Sequence, residues 1–549
     1  MITLWKKFGL CSAGRQSVLA LAIIAAGALA AYWNSFSGPF VFDDKHAIVD
    51  NPTIRNLWPI WPVITPLSGG GTVCGRPILN LSFAINYALS GVSVWGYHAV
   101  NLLIHILAGW TLYGFIRRTL LQPSLCKRFG VDAGALAVAV AVLWVLHPLQ
   151  TESVTYMVQR AESLAGLFYL LTLYCFVRGV KSERSKVWLW IAVLTCAIGM
   201  GAKETVASVP VIVLLYDRTF VAGSFWAAWR NRWAMYSTMA ATWLLLLYFI
   251  LATGDRGGTA GLAEGTTPVV YAQTQICAIV EYLRLVVWPH PLVFDYGTPT
   301  VTSPTEFVVP AILLLGIGGA AVVGVWRRSL FGFLGCWFFA LLAPSSSVVA
   351  VVTQTVAEHR MYLASAAVIA VIVFGVYRWI GTKALTVYAG LAVVLGVLTM
   401  NRNKDYRSEF SIWNDTVTKC PGNARALANL GAVYLRAQQY GAAQILLEES
   451  IRVNPGQASA HSDLGIILCA SEKMNEGVNH FRTAVQLNPQ NVSGQINLGV
   501  ALTHLGNWRE ARFHLEEALR LEPGNVLARK GLEDLQRAVE KSKNEGHGE

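Results

Sequence analysis

Apolar runs long enough to cross a bilayer recur down the first 400 residues of this 549-residue chain and then stop. By length and apolarity about eleven spans are predicted, at 18–36, 97–116, 131–147, 161–177, 187–201, 204–217, 233–252, 306–326, 330–344, 361–380 and 384–400. The run at 204–217 is short for a bilayer and reads as tilted or partly re-entrant. Two long polar connections separate the runs. Ser37 to Tyr97 carries turn prolines and an amphipathic stretch from Pro77 to Leu89. Gly254 to Thr305 opens Gly-rich and then carries Tyr271 to Trp288, whose aromatic content suits a helix lying in the interface plane.

Past Asn401 the period changes. Gly431, Gly465 and Gly499 are 34 residues apart, and so are Leu430, Leu464 and Leu498, then Ala443, Gly477 and Ala511, then Pro455, Pro489 and Pro523. This is the tetratricopeptide pattern: small residues let the two helices of a repeat approach, and the proline ends the second one. Repeats are placed at about 424–457, 458–491 and 492–525, with a preceding half-repeat at about 406–421 and a solvating cap at 526–541. The helix of the half-repeat is expected over Tyr406 to Lys419. The predicted fold is therefore all-α, a polytopic helical membrane domain at 1–400 followed by a tetratricopeptide α-solenoid at 401–549. Such arrays present a concave surface to peptides or proteins.

Composition agrees, with 54% hydrophobic and only 14% charged residues. Lys and Arg outnumber Asp and Glu by 26 to 15 before Asn401 and balance at 17 to 17 after it, so the net +11 belongs to the membrane half. Nucleic acid is not needed to explain that charge. With the N-terminus inside, 18 basic residues fall in inner segments, from Lys6, Lys7 and Arg15 through Arg378 and Lys383, against 8 in outer ones. An odd number of spans then puts the repeats outside. The N-terminal run is followed by Trp33, Asn34 and Phe36, with no small-residue cleavage box, and reads as an uncleaved anchor. Nine cysteines show neither a CxxC nor paired spacing, so no disulfide framework or zinc site is indicated.

The outer segments hold the candidate chemistry. Asp43 and Asp44 follow at once on the first span, where a carboxylate beside hydrocarbon is costly and usually serves chemistry or transport. The bland alternative is a loop-capping or salt-bridging pair bonded to Lys45, His46 or Arg55. Three basic residues sit at outer span ends with an acid nearby: Arg160 with Glu162, Lys203 with Glu204, and Arg360 with Glu358. They suit a departing phosphate, or else simply fix helix ends. His147, with Pro148 ending its helix, lies near Glu152 at the same interface, where capping is the commoner role. His98 and His105, seven apart, read as hydrogen bonding between helices and not as metal ligands. No P-loop, dinucleotide-binding glycine fingerprint or GxSxG elbow occurs.

Together these segments resemble a known family, the transmembrane and tetratricopeptide-repeat-containing O-mannosyltransferases of the GT-C class. The likeness is carried by Phe40-Val-Phe-Asp-Asp-Lys with Asp50-Asn51, and by Arg76-Pro77 leading to Asn86-Tyr87. It continues in Tyr97-His-Ala-Val-Asn-Leu-Leu-Ile-His105, His147-Pro with Thr151-Glu-Ser-Val, Arg160-Ala-Glu162, Lys203-Glu204 and Ala357-Glu-His-Arg-Met-Tyr362. The Arg402 to Trp413 junction completes it.

The resemblance implies a polyprenyl-phosphate-linked mannose donor, a Ser/Thr hydroxyl acceptor on protein, inversion at the sugar, and no cofactor beyond the lipid-linked donor, with a divalent metal left open. It implies Asp43 as catalytic base with Asp44 its partner or an acceptor-binding group. Arg76, His147, Glu152, Arg160, Glu162, Lys203, Glu204, Glu358 and Arg360 are expected to bind the donor phosphate or substrate. Gln150 and Gln159 stand where animal members are expected to have His and Gly, which points to a bacterial relative in the cytoplasmic membrane, with its repeats outside. Two other readings remain: the same fold glycosylating a lipid or envelope glycan, and a non-enzymatic membrane-anchored repeat scaffold.

Overall fold

The computed structural model describes residues 13–65, 71–253, 267–301, 303–348 and 354–545. Lys6, Lys7 and the Gly-rich opening of the second long connection lie outside the described residues. The chain forms two compact units, Met1–Ser411 and Ile412–Glu549, and the regular structure described in both is helical.

The first unit contains α1 (Ala13–Tyr32), α2 (Pro77–Ser90), α3 (Val94–Leu120), α4 (Ala133–Val145), α5 (Arg160–Val180), α6 (Ser185–Met200) and α7 (Val209–Asp217). It continues with α8 (Phe225–Ala252), α9 (Pro268–Val287), α10 (Pro304–Trp326), α11 (Leu330–Ala343), α12 (Met361–Ile380) and α13 (Ala384–Asn403). Among the described residues, eight helical stretches are long and apolar enough to cross a membrane, and the last, Glu358–Arg407, holds both α12 and α13. This is a multi-pass membrane protein. α6 and α11 are shorter apolar helices; the 16 residues of α6 rise only about 24 Å, less than the roughly 30 Å hydrocarbon core. The short run at 204–217 is part of an irregular stretch, Glu204–Ala222, that passes from 3₁₀ through α to π geometry.

Local chemistry sets the helix ends. Proline opens α2, α9 and α10, where its missing N–H is not needed. Ser224 and Thr267 cap α8 and α9 by accepting from Ala227 N and Val270 N. Close packing sets helix neighbours: a Cβ added at Gly109 would lie 2.7 Å from Val145 Cγ2 and 3.1 Å from Ile24 Cγ2, so a side chain there would force α1 and α4 away from α3. Buried His105 ties three helices, with Nδ1 2.8 Å from the Tyr362 hydroxyl and Nε2 3.1 Å from the Val145 carbonyl. His98 Nε2 lies 3.0 Å from the Gly38 carbonyl. Both histidines are structural ties, as their spacing suggests.

One end of this helical unit matters for chemistry. α1, α4 and α6 finish there and α5 and α12 begin there. The connections between them, residues 33–54, 146–159, 201–208 and 354–360, carry eight of the eleven candidate site residues; Arg76 stands just before α2, and Arg160 and Glu162 are in the first turn of α5.

The second unit is built from α15 (Ala424–Arg436), α16 (Tyr440–Val453), α17 (Ala458–Ala470), α18 (Met474–Leu487), α19 (Val492–His504), α20 (Trp508–Leu521) and α21 (Val526–Glu545); α14 (Glu409–Lys419) spans the boundary. The repeated glycines explain the pairing. A Cβ at Gly431 would meet Leu447 at 2.8 Å, at Gly465 Phe481 at 2.7 Å, and at Gly499 Leu515 at 2.6 Å, so each contact recurs with the 34-residue period. The helix expected from Tyr406 instead starts at Glu409. Ser408 is extended and its Oγ accepts from Ser411 N, which makes it an N-cap and leaves Lys404–Arg407 as a separate 3₁₀ turn.

Candidate active site

The aspartate pair divides. Phe42 adopts a left-handed backbone (φ 46°), uncommon for a bulky residue, and the chain reverses there. Asp44 is completely buried; its Oδ2 accepts from Val41 N at 3.0 Å and its Oδ1 from Val158 N at 2.7 Å. Burial pushes its carboxyl up to about 8, against the opposing pull of those N–H donors. Asp44 is thus a clamp between the first connection and the turn before α5. Asp43 stays half-buried: its backbone N–H donates to the Tyr156 hydroxyl at 3.0 Å, and its Oδ2 accepts from the Thr72 hydroxyl at 3.3 Å. Of the two, only Asp43 presents a carboxylate to an accessible space.

Thr72 links that carboxylate to the cations. Its carbonyl accepts from Arg76 Nη1 at 2.9 Å, and Arg76 Nη2 pairs with Glu204 at 3.1 Å. Lys203 Nζ pairs with Glu162 at 2.8 Å, the glutamate buried and the lysine partly so. Burial lowers the Lys203 ammonium pKa, while Glu162 raises it back. The acids noted beside Lys203 and Arg160 thus take cations from other elements: Glu204 pairs with Arg76, and Glu162 with Lys203. Residues one or two apart on a helical turn point in different directions, so each group finds its partner on another element.

Arg360 and Arg160 differ from these paired cations. Arg360 donates to the carbonyls of Thr355 (3.0 Å) and Gln354 (2.5 Å) and reaches Gln275 Oε1 at 3.5 Å, so neutral oxygens surround its charge. Glu358, the acid nearest Arg360 in sequence, accepts from Val293 N and from the Tyr296 hydroxyl at 2.9 Å, and its Oε2 is buried without a hydrogen bond. A cavity of about 10 Å³, room for about one water, lies beside Arg360, Glu162 and Thr205.

Arg160 is sealed. It donates to Asn101 Oδ1 (2.6 Å), Asn86 Oδ1 (2.8 Å), Ser82 O (3.2 Å) and Tyr97 O (3.1 Å), and lies 4.7 Å from the Phe83 ring centroid. It braces α2, α3 and α5 and has no face for a ligand. His147 is also spent on structure: Nδ1 accepts from Leu149 N and Nε2 donates to the Val286 carbonyl at 3.0 Å, the capping role weighed for it.

Glu152 has a partner that sequence reasoning missed. Its Oε2 accepts from His359 N and its Oε1 faces His359 Nδ1, each at 2.7 Å. Burial pushes the Glu152 carboxyl up to about 8. His359 feels the charges of Lys203, Glu162, Arg360 and Arg76, which places the dyad among the cations. The signal lay in the Glu358-His-Arg360 tripeptide, read only for its outer members. Thr72 and Tyr156 carried no sequence signal. Among the described residues there is no cluster of three His, Cys, Asp or Glu suited to a metal ion.

Helical spans, a helical repeat array and this buried acid–base cluster define a multi-pass membrane protein with a tetratricopeptide domain. The tetratricopeptide repeat family model matches residues 424–457 and 492–525. Over about three quarters of its length the chain is similar to curated protein O-mannosyl-transferases. It is 27% identical to human protein O-mannosyl-transferase TMTC4 over 478 residues, covering 74% of this chain and 63% of the relative. It is 24% identical to protein O-mannosyl-transferase F38B6.6 of Caenorhabditis elegans, covering 76% of this chain and 60% of the relative. The chain thus spans a little over three fifths of the length of the curated relatives it matches. A solved oligosaccharyltransferase of Archaeoglobus fulgidus overlaps weakly, with 15% identity, a TM-score of 0.39, and coverage of 70% of this chain and 56% of that one.

Proposed function

We propose that this protein transfers a sugar, mannose by its relatives, from a polyprenyl-phosphate donor to Ser/Thr hydroxyls of proteins outside the cytoplasmic membrane. The observation that carries the reading is Asp43: a half-buried carboxylate joined through Thr72 to Arg76, with Lys203 and the carbonyl-held Arg360 at the same end of the helices. The acceptor oxygen attacks C1 of the sugar and its proton passes to Asp43. The C1–O bond to phosphate breaks, and the electron pair leaves with the phosphate. Attack on the face opposite the leaving group inverts the anomeric centre. The phosphate acquires charge as the bond breaks, so cations fixed beforehand at that position lower the barrier. The basic residues flanking the inner span ends support an outward-facing site, and the repeat unit supports a protein acceptor.

The test is sugar transfer in purified membranes from polyprenyl-phosphate mannose to a serine-rich protein. Asp43→Asn is expected to lower turnover by about 10²–10⁴-fold, the range for loss of a general base. Unchanged turnover would remove the assignment, and sugar appearing on lipid or glycan alone would change the acceptor class.

A further inference from the structure

The Glu152–His359 dyad is not used in the step above. Glu152 holds the imidazole by two contacts, through the backbone N–H of His359 and through ring Nδ1. This fixes the ring orientation and directs Nε2 away from the carboxylate. Among the described residues Nε2 makes no hydrogen bond, nor is it one of the sealed polar atoms, although the ring as a whole is only 5% exposed. The groups facing this histidine are Glu152, Glu162, Lys203, Arg360 and Arg76. Glu162 is committed to Lys203 and Glu204 to Arg76, while Arg360 touches only neutral oxygens. An anion entering here meets one cation not matched by a carboxylate and one ring nitrogen without a partner.

We propose that His359, oriented by Glu152, binds the phosphate of the spent polyprenyl carrier through Nε2. The ring takes up a proton as the phosphate monoester forms. The proposal rests on the transferase reading and deepens it. The imidazolium is then paired on one side with Glu152 and on the other with the phosphate. Binding of a phosphate monoester is then coupled to protonation of the Glu152–His359 pair, whose shared proton moves to the ring, and strengthens as pH falls through about 8, where Glu152 takes up its proton.

The experiment measures binding of a short-chain polyprenyl monophosphate to the full-length protein in detergent at pH 6 and pH 8, with inorganic phosphate and the matching prenol as comparison ligands. The expected result is that the pH 6 to pH 8 affinity ratio of the natural chain exceeds that of His359→Gln by about tenfold, the worth of one charge-assisted hydrogen bond. The ligand's own titration is common to both proteins and cancels. Equal ratios in natural chain and variant overturn the proposal. Should His359→Gln fail to fold, Glu152→Gln keeps the ring in place and must shift the midpoint of the pH dependence to lower pH; an unmoved midpoint also overturns it. Inorganic phosphate or prenol binding as tightly as the prenyl phosphate overturns the carrier as ligand. Failure of the transferase reading shows differently: no sugar transfer by the natural chain, with the pH-coupled binding intact.

Discussion

Phe42 turns the backbone so that two adjacent aspartates meet opposite environments, and their substitutions should separate accordingly. Asp44 uses both carboxylate oxygens as acceptors for backbone N–H groups. In Asp44→Asn one of those oxygens becomes an NH₂ pointing at an N–H, so a buried donor loses its partner. The expected cost is about 1–3 kcal/mol, read as a lower unfolding temperature in detergent. Asp43→Asn should leave that temperature unchanged while removing transfer. The sign of the pH dependence follows from burial. Asp44 and Glu152 are pushed up to about 8, well above ordinary carboxylates. The native state therefore holds these protons more tightly than the unfolded one. Their contribution to stability is fully present below about pH 4 and is lost as pH rises through about 8. Melting temperatures should fall between pH 6 and pH 9, and Glu152→Gln, which cannot ionise, should show a smaller fall. An equal fall would contradict the assignment to Glu152.

Elements were the most legible level, because a bilayer and a 34-residue period each leave strong regular patterns. Span positions read from apolar runs lie close to α1, α3, α5, α8 and α10–α13, α9 coincides with the amphipathic segment expected over Tyr271 to Trp288, and the repeat glycines sit where partner helices touch. The candidate site was legible only in part. That charged residues gather at one end follows from orientation, but which partner each takes does not. Lys203 chooses Glu162, 41 residues away in sequence, over adjacent Glu204 because of helix rotation and tilt, which no local pattern encodes. Arg160 looked like a ligand for phosphate because its four acceptors, two asparagines and two carbonyls, are uncharged and distant in sequence. An element-scale prediction follows in the repeats. Gly465→Leu would drive a branched side chain into the Phe481 ring, where even a Cβ comes within 2.7 Å. Overpacking of this kind costs about 1–3 kcal/mol or more. It should lower the unfolding temperature of the repeat unit and leave polyprenyl-phosphate binding as it was.

At the scale of the whole molecule, the division into two units separates the enzyme reading from the scaffold reading. The site residues from Asp43 to Arg360 all belong to the first unit, and the 34-residue repeats belong to the second. If the first unit performs the chemistry and the second selects proteins, a chain ending after Lys419 keeps α14 whole and still carries every residue of the site. It should bind polyprenyl phosphate with the affinity of the full chain and transfer sugar to a short serine peptide at a comparable turnover. Transfer to a folded protein acceptor should drop by an order of magnitude or more, through KM and not kcat, because only the docking surface is missing. A scaffold makes the opposite forecast: the shortened chain loses its biological role outright, and Asp43→Asn in the full chain costs nothing. The two measurements together decide, since a transferase must be sensitive at Asp43 whatever its repeats contact, and a scaffold must be indifferent there.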